Sequence, residues 1–302
     1  DNFRHYAMAA GDLNPLWVEG EHGRTGADGG VVAPPGWLSS VIRPAHSVRR
    51  VVPATCDVLD AEVQWRFYEN VRLGDRVLAR GRLVDVVRKT TQALGDCALA
   101  SGVIEYTDAH GHLLASARSA IFIYPRDESR AGRRSGPLSS TAAAPEPATP
   151  VVRRGTQARY WDDLEVGQEI PPVRRQVLTE REIIQWFIGS HMWLLESSAR
   201  HFSAAAAQQT SVPAAFDIGT QRTAWLAQLV TDWAGDDAQL VELTCRFRGL
   251  IFVGDAPELG GQVESLSEES GEHLARLGLW VKNGAGTTVS PATAVVRLPR
   301  RD

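Results

Sequence analysis

Cysteine is scarce in this chain: Cys56, Cys97 and Cys245 are the three in 302 residues, with no C-x-x-C pair and no even framework. Disulfide stapling and a structural zinc site are therefore not expected, and a reducing cytoplasm is the expected compartment. Long apolar runs are missing as well, since nothing approaches the about 20 residues that cross a bilayer. The opening DNFRHYAMAAGD has neither the basic nor the apolar region of a secretory signal. That opening reads as a helix in mid-course, so the chain is expected to begin inside a domain, past a strand, and to be soluble. There is no dense basic stripe either. Net charge is −4, and the positive charge is almost all arginine scattered along the chain, which argues against a nucleic-acid partner.

What the chain does contain is enough apolar material, 43% of residues, to fill two cores. Its clearest break is DESRAGRRSGPLSSTAAAPEPATPVVRRG, rich in Pro, Ala, Ser and Gly and without apolar period, which predicts a linker over 126–155 between domains at 1–125 and 156–302. The flanks repeat. Arg66-Phe67 and Gly74-Asp75 recur as Arg246-Phe247 and Gly254-Asp255, each 180 residues later, and SAIFIYPR and TAVVRLPR close the two halves alike.

Each half reads as helix, loop, second helix and four strands. In the first half Phe3, Tyr6, Ala7 and Ala10 mark a short amphipathic helix ending at Gly11, and a second helix is expected from Pro35. Strands follow at Ala61–Phe67, Val77–Val87, Ala98–Tyr106 and Leu113–Tyr124. In the second half Thr179 to Glu182 has the form of a capping box, and a longer helix starts near Gly219 with Trp225, Leu226, Leu229, Val230 and Trp233 at helical spacing. Its strands are Leu240–Phe247, Leu259–Ser267, His273–Val281 and Thr288–Leu298. Helices followed by a run of antiparallel strands give an α+β class rather than alternating βαβ units.

The stretch YAMAAGDLNPLWVEGEHGRTGADGGVVAPPGWL, from Tyr6, resembles the entry region of MaoC-like (R)-specific enoyl-CoA hydratases, in which a GD-x-NP-x-H segment precedes the central helix. AFDIGTQRTAWLAQLVTDWAGDDAQL, from Ala215, and RYWDDLEVGQEIP, from Arg159, resemble the second half of two-domain acyl dehydratases of the same superfamily. The resemblance implies a tandem double hot dog, each half a curved antiparallel sheet wrapped around a central helix. It also implies a hydro-lyase that adds or removes water at C2–C3 of a thioester on CoA or an acyl carrier, in a lipid or polyketide pathway, without cofactor or metal. Family enzymes use an Asp and a His five residues apart to hold one water, and backbone N–H groups at the helix start to polarise the thioester carbonyl.

Neither half keeps the whole set. In the first, Asp12, Asn14 and Pro15 match, but Trp17 stands at the histidine position and Pro34-Pro35 removes N–H donors from the helix start. This half is expected to carry a degenerate site, with Asp12 an alternative catalytic group and Asn14 and Trp17 substrate contacts. In the second half His201 fits the motif, with Glu196 five residues before it and Ser203 in place of an aspartate. Glu196 is the candidate base, His201 the candidate acid and Gly219 the oxyanion donor, with Asp217, Gln221 and Arg222 beside the substrate; His191 is the rival histidine. Arg43, Arg49 and Arg50 are candidates for CoA phosphates, although a solvated face suits most of them. A non-catalytic thioester-binding subunit and a hot-dog thioesterase stay open, as do a homodimer and a heteromer with a second hot-dog subunit.

Overall fold

The computed structural model describes residues 2–20, 30–49, 51–126, 159–191, 196–210 and 212–301, the side chains of 196–198 excepted. The expected linker lies outside them apart from Arg126. Its helices are α1 (Asn2–Ala10), α2 (Pro15–Val18), α3 (His46–Arg49), α4 (Glu180–Gly189), α5 (Ala204–Gln209) and α6 (Gly219–Ala234). The strands are β1 (Cys56–Phe67), β2 (Leu78–Thr91), β3 (Gly95–Thr107), β4 (Leu113–Pro125), β5 (Glu169–Arg174), β6 (Gln239–Arg246), β7 (Glu258–Glu269), β8 (Glu272–Lys282) and β9 (Thr288–Arg297).

All nine form one antiparallel sheet in the order β2-β3-β4-β1-β6-β9-β8-β7-β5. The two halves meet at β1 and β6, paired in the register Glu62↔Arg246, Gln64↔Thr244 and Arg66↔Glu242. Because Glu62 and Arg66 recur as Glu242 and Arg246, the pairing is self-complementary about Gln64 and Thr244. Arg246 binds Glu62 at 2.5 Å and Arg66 binds Glu242 at 3.3 Å. Edge-to-edge joining satisfies backbone groups that a lone half would leave open on those strands.

Local sequence explains the elements around this sheet. In α1 the expected Phe3, Tyr6, Ala7 and Ala10 are all buried, and the chain leaves the helix through Gly11 at φ +72°, a conformation natural to glycine. Helix α4 carries the capping box: Thr179 Oγ1 accepts from Glu182 N at 3.2 Å, and Glu182 Oε2 accepts from Thr179 N at 2.9 Å. The two helices pack together, with the Tyr6 and Trp186 rings edge to face at 5.0 Å. Helix α6 runs through the core with Trp225, Leu226, Leu229, Val230 and Trp233 buried, each contributing about 1.5–3 kcal/mol relative to exposure. Arg175 ties the halves further: it donates to Ala10 O at 2.5 Å and to Gln228 Oε1 at 3.0 Å, and stacks over Trp225.

The expected strands all form, most of them a few residues longer than their apolar cores; β5 was not anticipated. The first half departs from expectation in its second helix. Where the second half has the long α6, the first has a single 3-10 run, Pro35–Ser40, followed by the four-residue α3. Pro34 and Pro35 remove donors at its start and Pro44 forbids continuation, so no long helix can form there. Strand β2 correspondingly lies open, with Leu83, Val84, Val86 and Val87 all exposed.

Candidate active site

The site is built where α6 begins. Asp217, Ile218 and Gly219 lead into the helix, and Arg222, one turn on, locks that entry. Its Nε donates to Asp217 Oδ2 at 2.7 Å and its Nη2 to Asp217 Oδ1 at 2.5 Å, while Nη1 donates to Gly249 O and Ser290 Oγ at 2.9 and 2.8 Å. Asp217 Oδ1 also accepts from Ile251 N. Both residues are fully buried, so the pair is a strut holding the helix start against the loop after β6. No side chain caps α6 at Ile218. Its positive dipole end and first N–H groups stand at the wall of a cleft of about 650 Å³, of which Gly219 is part.

His201 lies on that same wall, at the end of the 3-10 segment Glu196–His201. Ser203, two residues on, caps α5 by accepting from Ala206 N at 3.4 Å, so the serine retains the capping role an aspartate would have. The imidazole is wedged 4.4 Å from the Phe216 ring, and its Nδ1 lies 3.1 Å from Phe216 O. A carbonyl can only accept, which makes Nδ1 the protonated nitrogen and leaves Nε2 with a lone pair. Burial first, and then the neighbouring Arg200 charge, lowers His201 to about 3. The ring is therefore neutral at physiological pH.

The first half completes the cleft. Strand β1 carries a register irregularity between Asp60 and Glu62, a bulge of the kind that re-aims a side chain. Asp60 lines the cleft with His201 and Gly219, and its carboxylate lies so close to the helix start that a Cβ on Gly219 would come within 2.5 Å of Oδ2. A side chain at Gly219 would push the Asp60 carboxylate aside. Arg200 reaches the other way, donating to Val58 O at 2.9 Å on the same strand. Leu59, Leu99 and Phe122 supply apolar wall, and Arg43 and Arg49 line the cleft rather than a solvated face.

These features place the chain among known structures. A MaoC-like dehydratase superposes with a TM-score of 0.79 at 19% identity, over 98% of this chain and 93% of that one. A Mycobacterium tuberculosis protein with a double hot-dog fold gives a TM-score of 0.63 at 14% identity, over 98% of this chain and 90% of that one. The chain is a double hot dog. A MaoC-like dehydratase from Phytophthora capsici shares this fold, with a TM-score of 0.61 at 11% identity over 100% and 93% of the two chains. Residues 1–117 match the family model of a FAS1-like dehydratase domain region. No curated protein matches the chain.

Within this double hot dog the sequence-predicted residues separate. His201, Asp217, Gly219 and Arg222 come together at the cleft. Glu196 opens the same 3-10 segment, but its side chain lies outside the described residues. Gln221 is buried, and His191, exposed at φ 51°, does not line the cleft. Asp12, Asn14 and Trp17 form a knot away from the cleft: Asp12 accepts from Trp17 Nε1 and from Asn14 N, and Asn14 Oδ1 accepts from Leu16 N. Sequence reasoning missed Asp60, whose one signal was an Asp-Ala-Glu run within a strand. Among the described residues no three His, Cys, Asp or Glu side chains are grouped as a metal ion would need, and no helix is long and apolar enough to cross a membrane.

Proposed function

We propose that this double hot dog is a hydro-lyase of the enoyl-thioester hydratase and 3-hydroxyacyl-thioester dehydratase type, acting on a CoA- or carrier-bound chain in the cleft between its halves. The observation that carries the reading is a neutral imidazole lining the same cleft as an uncapped helix start. In the hydration direction Nε2 takes a proton from water as the water oxygen bonds C3. The C2=C3 electrons move toward C1, and the charge arriving on the thioester oxygen meets the Gly219 N–H at the positive end of α6. Proton delivery to C2 restores the thioester carbonyl and regenerates His201.

This makes His201 the base, because a ring with so low a pKa carries no proton to offer at rest. Its protonated state is transient, disfavoured by Arg200, and so returns the proton readily. A carboxylate in the cleft steadies that state and orients the water; Asp60 is our assignment, with Glu196 the alternative. Asp217 and Arg222 act by positioning Gly219. Three unpaired cysteines support a cytoplasmic setting.

The test is incubation of the purified chain with trans-2-enoyl and (R)-3-hydroxyacyl CoA thioesters, following absorbance of the conjugated thioester together with release of free thiol. Reversible loss and gain of conjugation without thiol is expected. Thiol release would replace the reading with a thioesterase. Binding without turnover of any thioester would replace it with a non-catalytic binding subunit.

A further inference from the structure

Arg43, Arg49 and Arg200 line one cleft with His201 and Gly219. Of the other cations lining the cleft, Arg222 is held by Asp217 and Arg246 by Glu62, while Arg248 adds a further positive charge. Among the described residues Asp60 is the carboxylate whose field bears on both Arg43 and Arg49, so the cleft lining carries more positive than negative charge. Their hydrogen bonding is incomplete too. Arg200 is 8% exposed and uses Nη2 on Val58 O, while its Nε, like the Nε of Arg49, is buried and has no partner. The cations feel one another as well: burial and then Arg49 draw Arg43 down to about 10, and Arg200 adds to the burial that lowers Arg49. A guanidinium is the side chain that keeps its charge most firmly at neutral pH. Like charges held together with open donors are costly unless an anion joins them.

We propose that the acyl chain of the substrate carries a second carboxylate, seated against Arg43, Arg49 and Arg200. The proposal rests on the cleft being a thioester site, as argued above. Planar guanidinium forks suit a carboxylate, which can accept from two of them at once. A phosphate of the carrier shares this chemistry. The long pantetheine arm, however, holds its phosphate far from the thioester, whereas these arginines stand beside the groups assigned to the reacting carbons. Dicarboxylic acyl thioesters, attached through one carboxyl group with the other free, are therefore the favoured class.

The experiment is titration calorimetry of the full chain with succinyl-CoA and butyryl-CoA, which share carrier and carbon count and differ in the terminal carboxylate. The expected result is binding of succinyl-CoA roughly tenfold tighter or more. In Arg49→Gln and Arg200→Gln that preference should vanish while butyryl-CoA affinity stays within about twofold; Arg49→Lys, keeping the charge, should retain part of it, and melting curves confirm that each variant is folded. Equal binding of the two ligands by the unaltered chain overturns the proposal and leaves the lyase reading standing. Equal weakening of both by the variants also overturns it, assigning the arginines to carrier phosphate. Binding of neither overturns the proposal together with the thioester site on which it rests.

Discussion

The indole of Trp17 donates to the Asp12 carboxylate at 2.9 Å, within a cluster of Ala7, Leu16 and Val32. Trp17 stands where the resemblance places a histidine, and its indole, which cannot exchange protons at physiological pH, takes up the carboxylate directly.

Trp17→Phe should leave the buried Asp12 short of one donor and destabilise the chain by about 1–3 kcal/mol, read by denaturant unfolding. Hydration measured below the transition should not change. Trp17→His should not create a second active site, because Pro34 and Pro35 leave no helix start able to hold an oxyanion. Hydration surviving in the double variant Trp17→His, His201→Gln would show otherwise.

His201→Gln should lower kcat by about a hundredfold or more, the scale of a lost general base. In the unaltered chain kcat/KM should show no limb near pH 6.5, the ordinary histidine value, since His201 titrates near 3. An acid limb centred between pH 6 and 7 would remove His201 as the base.

The same shift bears on stability. The unfolded chain binds a proton at His201 below its ordinary value, and the folded chain does not until about pH 3, so this group favours unfolding progressively as pH falls through that window. His201→Gln should therefore lose less melting temperature between pH 8 and pH 5 than the unaltered chain.

Asp60→Asn and Glu196→Gln decide which carboxylate serves the site. Asp60→Asn should reduce kcat about tenfold or more, with Glu196→Gln near the unaltered rate. The opposite ranking transfers the role to Glu196. Gly219→Ala should disturb the same geometry, because its Cβ would lie 2.5 Å from Asp60 Oδ2 and 3.1 Å from the Phe247 ring.

Arg222→Met strands the Asp217 carboxylate in the interior and should cost about 3–5 kcal/mol of stability. Arg222→Lys should rescue little, since one ammonium cannot reproduce the fork on Asp217 together with Gly249 O and Ser290 Oγ. Full stability in Arg222→Lys would show that charge alone matters here.

Much of the architecture was legible along the chain, because its signals are local. Alternating apolar residues mark β1 through β4 and β6 through β9, the Thr179 to Glu182 box marks α4, and Gly11 marks the end of α1. The helix expected at Pro35 does start there, but as the 3-10 run Pro35–Ser40, and Pro44, nine residues on, stops it from lengthening. Strand β5 escaped because Pro171 and Pro172 disguise an edge strand.

The repeat of Glu62 and Arg66 as Glu242 and Arg246 is written in the sequence, and so are His201 and the glycine that opens α6. Only the tertiary structure decided what they meet. Antiparallel pairing of β1 with β6 carries Asp60 from the first half to Gly219 in the second and lets Arg200 hydrogen-bond to Val58. Burial then determines the proton on His201 and gathers Arg43 and Arg49 into the cleft. No spacing along the chain encodes these contacts, because they depend on the register between strands far apart in sequence and on how much water that packing leaves around each charge.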